Sequence, residues 1–204
     1  MVKDARVIGL EADVVATTTS ADMVLAQRCA DGDQQACRDL VDEHRGMVFG
    51  LGFQLLGNYD EALDLSQEVF LRVFRTIGRF RGGATLRTWI YRIVVNGARN
   101  RQRWFQRHRR AFLVQLDAYV EDHGDPVADA NGASPERALN RVEAGRRLWA
   151  GLARLSLEQR TALVLRELHG MSYVEVGYTL GVTTSAVKSR LSRARETLRR
   201  ELTP

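Results

Sequence analysis

At 204 residues the chain has room for one helical domain or two small ones, each with its own core. A formal net charge of +5 with 45% apolar residues fits a globular protein that favours polyanions. No apolar run nears the roughly 20 residues that cross a bilayer, and no signal peptide opens the chain, so an intracellular, cytoplasmic protein is expected. Cys29 and Cys37 lack the spacing and histidine company of a zinc site and read as reduced, buried thiols.

Residues 1–18 have no clear period and read as a loose leader. Ser20 is the expected N-cap of a short helix ending near Asp31-Gly32, and Asp33 caps the next, which runs through Leu40, Val48, Phe49 and Leu55 to Gly57. Glycines at 46, 50 and 52 weaken that helix unless a neighbour packs closely there. Asn58 with Glu61 forms a capping-box pattern before a third helix with the stripe Ala62, Val69, Phe70, Val73, Phe74 and Ile77, stopped by Gly78. Its other face carries Asp64, Gln67, Glu68, Leu71 and Arg75. Acids in the first turns suit the helix dipole, but Asp64 and Glu68 reach beyond it and suggest a surface for a partner.

A loop, Arg81-Gly82-Gly83, then leads into a helix capped near Thr85. From Arg81 to Leu116 there is no acidic residue, while Arg81, Arg87, Arg92, Arg99, Arg101, Arg103, Arg107, Arg109 and Arg110 recur. Phe80, Trp89, Tyr91, Trp104 and Phe105 are interleaved. Guanidinium groups neutralise phosphates and flat rings stack on unpaired bases, so this stretch suits single-stranded nucleic acid. Trp89, Ile90, Ile93 and Val94 recur at helical spacing and read as core instead.

Charge then inverts. Asp117, Glu121, Asp122, Asp125 and Asp129 lie among Gly124, Pro126, Gly132 and Pro135 with no helical period, which marks an acidic flexible linker over residues 113–135. Such a thread can be a plain spacer or can lie in a basic channel built for RNA. The predicted organisation is all-α: a leader (1–18), a helical domain (19–112), the linker, and a second helical domain (136–204).

In the second domain, Ser156 with Gln159 and Ser172 with Glu175 make capping boxes for two helices, stopped by Gly170 and Gly181. Thr183 or Thr184 caps a last helix to about Glu201. A short helix, a glycine turn and a basic helix form a helix-turn-helix pattern. Val187, Leu191, Ala194 and Leu198 face inward, leaving Thr184, Ser185, Lys188, Ser189, Ser192 and Arg193 for duplex DNA. His44, His108, His123 and His169 are scattered, and neither a phosphate-binding glycine loop nor metal-ligand spacing is present, so no enzyme, cofactor or metal site is expected.

Single-strand chemistry in one domain and a duplex reader in the other is what opening a promoter requires. Here the chain resembles the extracytoplasmic-function (group IV) sigma factors of the sigma-70 family. The resemblance rests on Asp64-Leu65-Ser66-Gln67-Glu68-Val69-Phe70, Arg79-Phe80-Arg81-Gly82 and Thr88-Trp89-Ile90-Tyr91-Arg92-Ile93 with Asn96. In the second domain it rests on Leu163-Val164-Leu165-Arg166-Glu167, Met171-Ser172-Tyr173-Val174-Glu175-Val176 and Val187-Lys188-Ser189-Arg190-Leu191-Ser192-Arg193-Ala194-Arg195. Two departures bear on the geometry of the last helix: its entry reads Thr183-Thr184-Ser185-Ala186, and Gly177 replaces a usual alanine.

The resemblance implies partners and roles. Asp64, Gln67 and Glu68 correspond to the docking face for the clamp helices of the polymerase's largest subunit, with the second domain meeting the flap of the second-largest. Arg81, Gly82, Ala84, Thr85, Leu86, Arg92, Asn96, Arg99 and Arg103 correspond to the site for single-stranded −10 DNA, and the last helix to the reader of the −35 element. An anti-sigma factor is expected as inhibitor, able to hold the protein near a membrane. The rival readings are a self-sufficient helix-turn-helix regulator, which leaves the Arg-aromatic stretch unexplained, and a nuclease, which lacks a carboxylate pair.

Overall fold

The computed structural model describes residues 19–107, 145 and 147–202; the expected leader, the acidic linker and the start of the second domain lie outside the described residues. Among the described residues all regular structure is helical. Helix α1 (Ser20–Ala30) is capped by Thr19, whose hydroxyl accepts from the Asp22 N–H, one residue before the expected Ser20, which is already helical. Asp33 caps α2 (Gln34–Leu56) by accepting from the N–H groups of Gln35 and Ala36, and these bonds together with Arg28 hold its carboxyl below the usual range. Gly57 closes α2 with a φ of 66°, a left-handed conformation that glycine adopts without strain.

Helix α3 (Tyr59–Thr76) is capped by the Asn58 side chain, but the Glu61 carboxylate turns to Arg101 on the far helix rather than closing the expected box. The α-helix ends at Thr76, two residues before the expected stop at Gly78. The chain tightens into a 3₁₀ turn, Ile77–Arg79, because Ile77 continues the buried stripe. Helix α4 (Leu86–Arg107) starts where Thr85 Oγ1 accepts from the Thr88 N–H.

Helices α1 to α4 wrap a core of Leu40, Leu51, Leu55, Leu65, Ile90 and Val94, all of them buried. Leu65 is packed although it lies outside the predicted stripe. Gly97 explains how: a Cβ there would lie 2.5 Å from Leu65 Cδ1, so the glycine makes room for that leucine. Of the three glycines in α2, only Gly52 faces a neighbour, α3 at Ala62 and Leu65. The sulfurs of Cys29 and Cys37 are joined as a disulfide with a Cα–Cα separation of 5.1 Å, in place of the two thiols expected. The bond spans the corner between α1 and α2, where the turn at Asp31-Gly32 folds the helices side by side.

The second half holds α5 (residues 147–154), α6 (Leu157–Leu163, running on through a π turn at Val164–Leu168), α7 (Tyr173–Leu180) and α8 (Thr184–Leu202). Both expected capping boxes are formed, at Ser156/Gln159 and Ser172/Glu175. Gly181 turns the chain with a φ of 71°, and Thr183 Oγ1 accepts from the Ala186 N–H to start α8. Val187, Leu191 and Ala194 are buried and Leu198 partly so, as the period requires.

The halves are not separate. One continuous apolar cluster runs from α1–α4 into α6–α8. At its seam the Arg160 side chain, 4% exposed, donates to Leu55 O at 2.7 Å, Leu152 O at 2.8 Å, Ala153 O at 3.2 Å and Leu155 O at 3.4 Å. Leu55, Leu152 and Ala153 lie in the last turns of α2 and α5 and Leu155 just past α5, where helices leave acceptors unpaired and the dipole is negative. Burial lowers its pKa only to about 10, so the group stays charged near neutrality. Trp149 of α5 meets the Phe53 ring edge-on at 5.1 Å beside it.

Two expectations follow. Arg160→Met keeps the stem but leaves the Leu55 and Leu152 carbonyls without their donor, and should lower unfolding free energy by about 2–4 kcal/mol in urea denaturation. Gly177→Ala gains helix propensity but places a Cβ 2.8 Å from the backbone oxygen of Val182, which no rotamer change relieves. It should cost a net ~1–3 kcal/mol by the same measurement, whereas exposed Gly46→Ala should be neutral or stabilising.

Candidate functional site

Three surfaces carry the predicted residues. The first is α3, whose outer side exposes Asp64, Gln67 and Glu68 together with Leu71, 55% exposed, and Phe74, 39% exposed. Phe74 therefore belongs to this surface and not to the core stripe. The face is braced from behind. Arg101 of α4 donates to Glu61 Oε2 at 2.5 Å and to Glu68 Oε1 at 2.7 Å, so one guanidinium ties two turns of α3 to α4. Beside this clamp lies a groove of about 540 Å³ between α3 and α4. Leu65, Val69 and Ile93 form its apolar lining, and Glu68, Arg72 and Arg101 are among its polar residues.

The second surface is the loop before α4 and the arginine side of α4. Arg81 and Arg103 are exposed, and Gly82 has a φ of 69°. Ala84 and Leu86 are each 1% exposed, so these positions have backbone to offer rather than side chain. The Thr85 hydroxyl is engaged with Thr88, and the Leu86 N–H donates to Asp22 Oδ2 of α1. Asn96 is half-buried. The rings do not form a row of stacking platforms: Phe80 and Tyr91 are buried, Trp89 packs on the core at 5.6 Å from Phe80, and Trp104 is 39% exposed. The Phe105 side chain lies outside the described residues.

Arg92 and Arg99 face the other half of the molecule. The Arg92 guanidinium lies 5.2 Å from the centre of the Tyr178 ring. Arg99 donates to Leu180 O, the last residue of α7, and pairs with Glu158 Oε1 at 3.9 Å. Burial pulls its pKa below the ordinary arginine value.

The third surface is α8. Ser185, Lys188, Ser189, Ser192 and Arg193 are exposed and Thr184 is half-buried, on the side opposite Val187, Leu191 and Ala194. Lys188 and Arg166 both approach the Tyr173 ring, at 5.7 Å and 4.9 Å. Arg195 is tied to Glu167, which raises its pKa.

Sequence reasoning did not anticipate His169. Its Nε2 hydrogen-bonds Gln54 Oε1 and its Nδ1 the Tyr91 hydroxyl, both at 2.8 Å, so it joins α2, α4 and the turn before α7. With Gln54 Oε1 accepting as placed, the neutral ring carries its hydrogen on Nε2. The Tyr91 hydroxyl then donates to Nδ1 and accepts from Arg87 Nη2 at 3.1 Å. Burial, with a smaller push from Arg87, drops the imidazole to about 4. Glu158 and Arg101 were equally unsigned, since pairing across helices leaves no local pattern. Among the described residues no cluster of His, Cys, Asp and Glu could hold a metal ion, and no helix is long and apolar enough to cross a membrane.

Comparison with known proteins gives a consistent picture. Residues 40–110 match the family Sigma-70 region 2, and residues 145–198 match Sigma-70, region 4. The chain is 35% identical over 190 residues to RNA polymerase sigma-H factor of Pseudomonas aeruginosa, covering 92% of this chain and 96% of that protein. It is 37% identical over 174 residues to ECF RNA polymerase sigma factor SigE of Mycolicibacterium smegmatis, covering 83% of this chain and 64% of the relative, just under two thirds of its length. Among solved structures it is similar to CnrH in complex with the cytosolic domain of CnrY, at TM-score 0.62 and 27% identity, covering 89% of this chain and 97% of that one.

The His169 bridge has a signed pH dependence. Its pKa falls from 6.5 to about 4 in the structure. Its contribution is therefore complete above pH 6.5 and is lost as pH falls toward 4, by no more than about 3 kcal/mol. His44, also lowered by burial, loses stability over the same side. The acid-side loss in urea midpoint should be smaller in His169→Gln than in the parent chain, with the His44 share remaining.

Proposed function

The chain belongs to the sigma-70 family, in its extracytoplasmic-function group, and from that premise we propose that it binds core RNA polymerase, directs it to promoters with matching −35 and −10 elements, and helps open the DNA. It works as a transcription initiation factor with no catalytic chemistry of its own, in the cytoplasm, under the control of an anti-sigma factor. The observation that carries this reading is α8. A packed inner side of Val187, Leu191 and Ala194 fixes the helix, and an outer side of Ser185, Lys188, Ser189, Ser192 and Arg193 is left in solvent. That is the arrangement a major-groove reader needs.

The other surfaces fit the same role. Asp64, Gln67 and Glu68 offer charge and hydrogen bonds to the clamp helices of the largest polymerase subunit, and the exposed Leu71 and Phe74 supply the apolar area that anchors an interface. Arg81, the backbone at Gly82, Ala84, Thr85 and Leu86, the amide of Asn96, and Arg92, Arg99 and Arg103 serve the unpaired non-template strand. Asn96 offers both donor and acceptor to a base edge, while the arginines meet phosphates.

Run-off transcription with core polymerase, with and without the chain, tests the reading directly; no promoter-specific transcript would leave a self-sufficient DNA-binding regulator instead. Asp64→Arg with Glu68→Arg should weaken core binding by about 2–5 kcal/mol while circular dichroism stays unchanged. Arg193→Ala should relax preference at one or two −35 positions by ~1–3 kcal/mol, whereas Arg199→Ala should lower affinity evenly across sequences. Equal weakening of every −35 variant by Arg193→Ala would make it a backbone contact.

A further inference from the structure

Helix α1 has little packing of its own. It is 11 residues long and fully buries only Ala26 and Cys29, two small side chains, while Met23 and Val24 stand 41% and 55% exposed. A helix of that length is marginal unless its surroundings support it. Yet it touches both ends of the loop that the proposed function gives to the −10 strand. Asp22 Oδ2 accepts from the Leu86 N–H at 3.1 Å, at the first residue of α4. At the other end, the Ala30 Cβ lies 3.6 Å from where a side chain on Gly78 would begin. Leu86 is 1% exposed, so burial leaves water a poor substitute for Asp22 at this orphan donor of a helix start.

What fixes α1 is the Cys29–Cys37 disulfide. Asp22, Ala26 and Cys29 recur at helical spacing, so the loop contact, the buried alanine and the sulfur share one side of α1. The Arg28–Asp33 pair at the same corner is partly exposed and adds little. We infer that α1 is a redox-locked brace for the −10 loop: Asp22 is a positioning residue that holds the start of α4, and the disulfide decides whether Asp22 stays in place. The inference rests on reading that loop as the −10 site.

In a cytoplasm, disulfides form transiently, as responses to oxidant. Cys37 is the more accessible of the two, half-buried near the start of α2, whereas Cys29 is 6% exposed. With a hydroperoxide as oxidant, the Cys37 thiolate attacks an oxygen, the O–O bond breaks and an alcohol leaves, giving a sulfenic acid. The Cys29 thiol then displaces that oxygen as water and forms the S–S bond, so two thiols and one hydroperoxide give one disulfide, one alcohol and one water. A dithiol reductant opens the bond through a mixed disulfide on Cys37, passing two electrons to the pair and becoming a disulfide itself. The bond closes only the short loop from Cys29 to Cys37, over a core that Leu40, Leu51 and Leu65 hold without it. Reduction therefore frees α1 and not the fold.

Hydrogen exchange and promoter opening test this on the full chain. The parent, Cys37→Ser, Asp22→Ala and Asp22→Asn are each treated with cumene hydroperoxide or dithiothreitol and desalted, and their free thiols are counted by maleimide labelling. Exchange of the Leu86 amide is read by NMR. Each protein then joins core polymerase on a promoter fragment that yields a run-off transcript, with 2-aminopurine at a −10 position to report unstacking. Reduction of the parent should speed Leu86 exchange and lower opening, each by about five-fold, the worth of one hydrogen bond. Cys37→Ser should match the reduced parent after either treatment. Asp22→Ala should open as poorly and ignore redox state, and Asp22→Asn, which keeps an accepting oxygen, should behave as the parent. If no disulfide forms under hydroperoxide, if oxidised and reduced parent exchange and open alike, or if Asp22→Ala still responds to reduction, the inference falls. Faster exchange with unchanged opening overturns it as well, leaving a structural clamp only. Opening by none of the proteins, the oxidised parent included, strikes the proposed function instead, and Leu86 exchange still decides the brace.

Discussion

Everything in this molecule depends on how a buried cation is satisfied by main chain. Arg160 lies at the meeting of three helix ends and donates to carbonyls in the last turns of α2 and α5. Taking a guanidinium out of water is expensive, and only several well-aimed acceptors can offset it. Helix C-termini provide them because each leaves carbonyls unpaired. The consequence is geometric. The end of α2, which is the spine of the first half, and the start of α6, which leads to the helix-turn-helix, are referenced to one side chain. Trp149 on Phe53 and His169 on Gln54 then need only adjust a seam whose position is already set.

The same functional group does three jobs in this chain. Arg160 grips carbonyls, Arg101 grips the carboxylates of Glu61 and Glu68, and Arg92, Arg99 and Arg193 are those we propose for nucleic acid. The planar five-donor fork suits all three acceptors. What separates the roles is the acceptor each fork meets and not burial alone, since Arg101 and Arg99 are almost equally enclosed, at 17% and 19% exposed.

That is also why the sequence was legible in one respect and opaque in another. Capping boxes at Ser156 and Ser172, the left-handed glycines at 57 and 181, and the inward side of α8 are local signals, and they stand where spacing predicts. The arginine count of α4 was plain too. Two positions turn a helix by roughly 200°, so Arg101 and Arg103 have to face opposite sides; what the arginine count alone hides is that Arg101, in line with Gly97, is the one turned toward α3. The buried Tyr91 was misjudged for a related reason: an aromatic among arginines looks like a stacking ring until the partner of its hydroxyl is known. Gly78 lies in the 3₁₀ turn that follows α3, so the helix ends within two residues of the stop the glycine predicts. Cys29 and Cys37 carried no pairing signal, since their closeness comes from the α1–α2 corner.

Gly177 bears on how such a protein can change over generations. With no Cβ at position 177, its backbone lies directly against that of Val182, and this close approach of α7 to the turn before α8 lasts only while the residue stays glycine. Behind α8, Val187, Leu191 and Ala194 are enclosed, while Ser185, Lys188, Ser189, Ser192 and Arg193 touch solvent. Exchanges at the outer positions leave the core and the turn as they were. Under the proposed reading of α8, copies of this chain can acquire new promoter preferences one exposed residue at a time while the packed side stays intact.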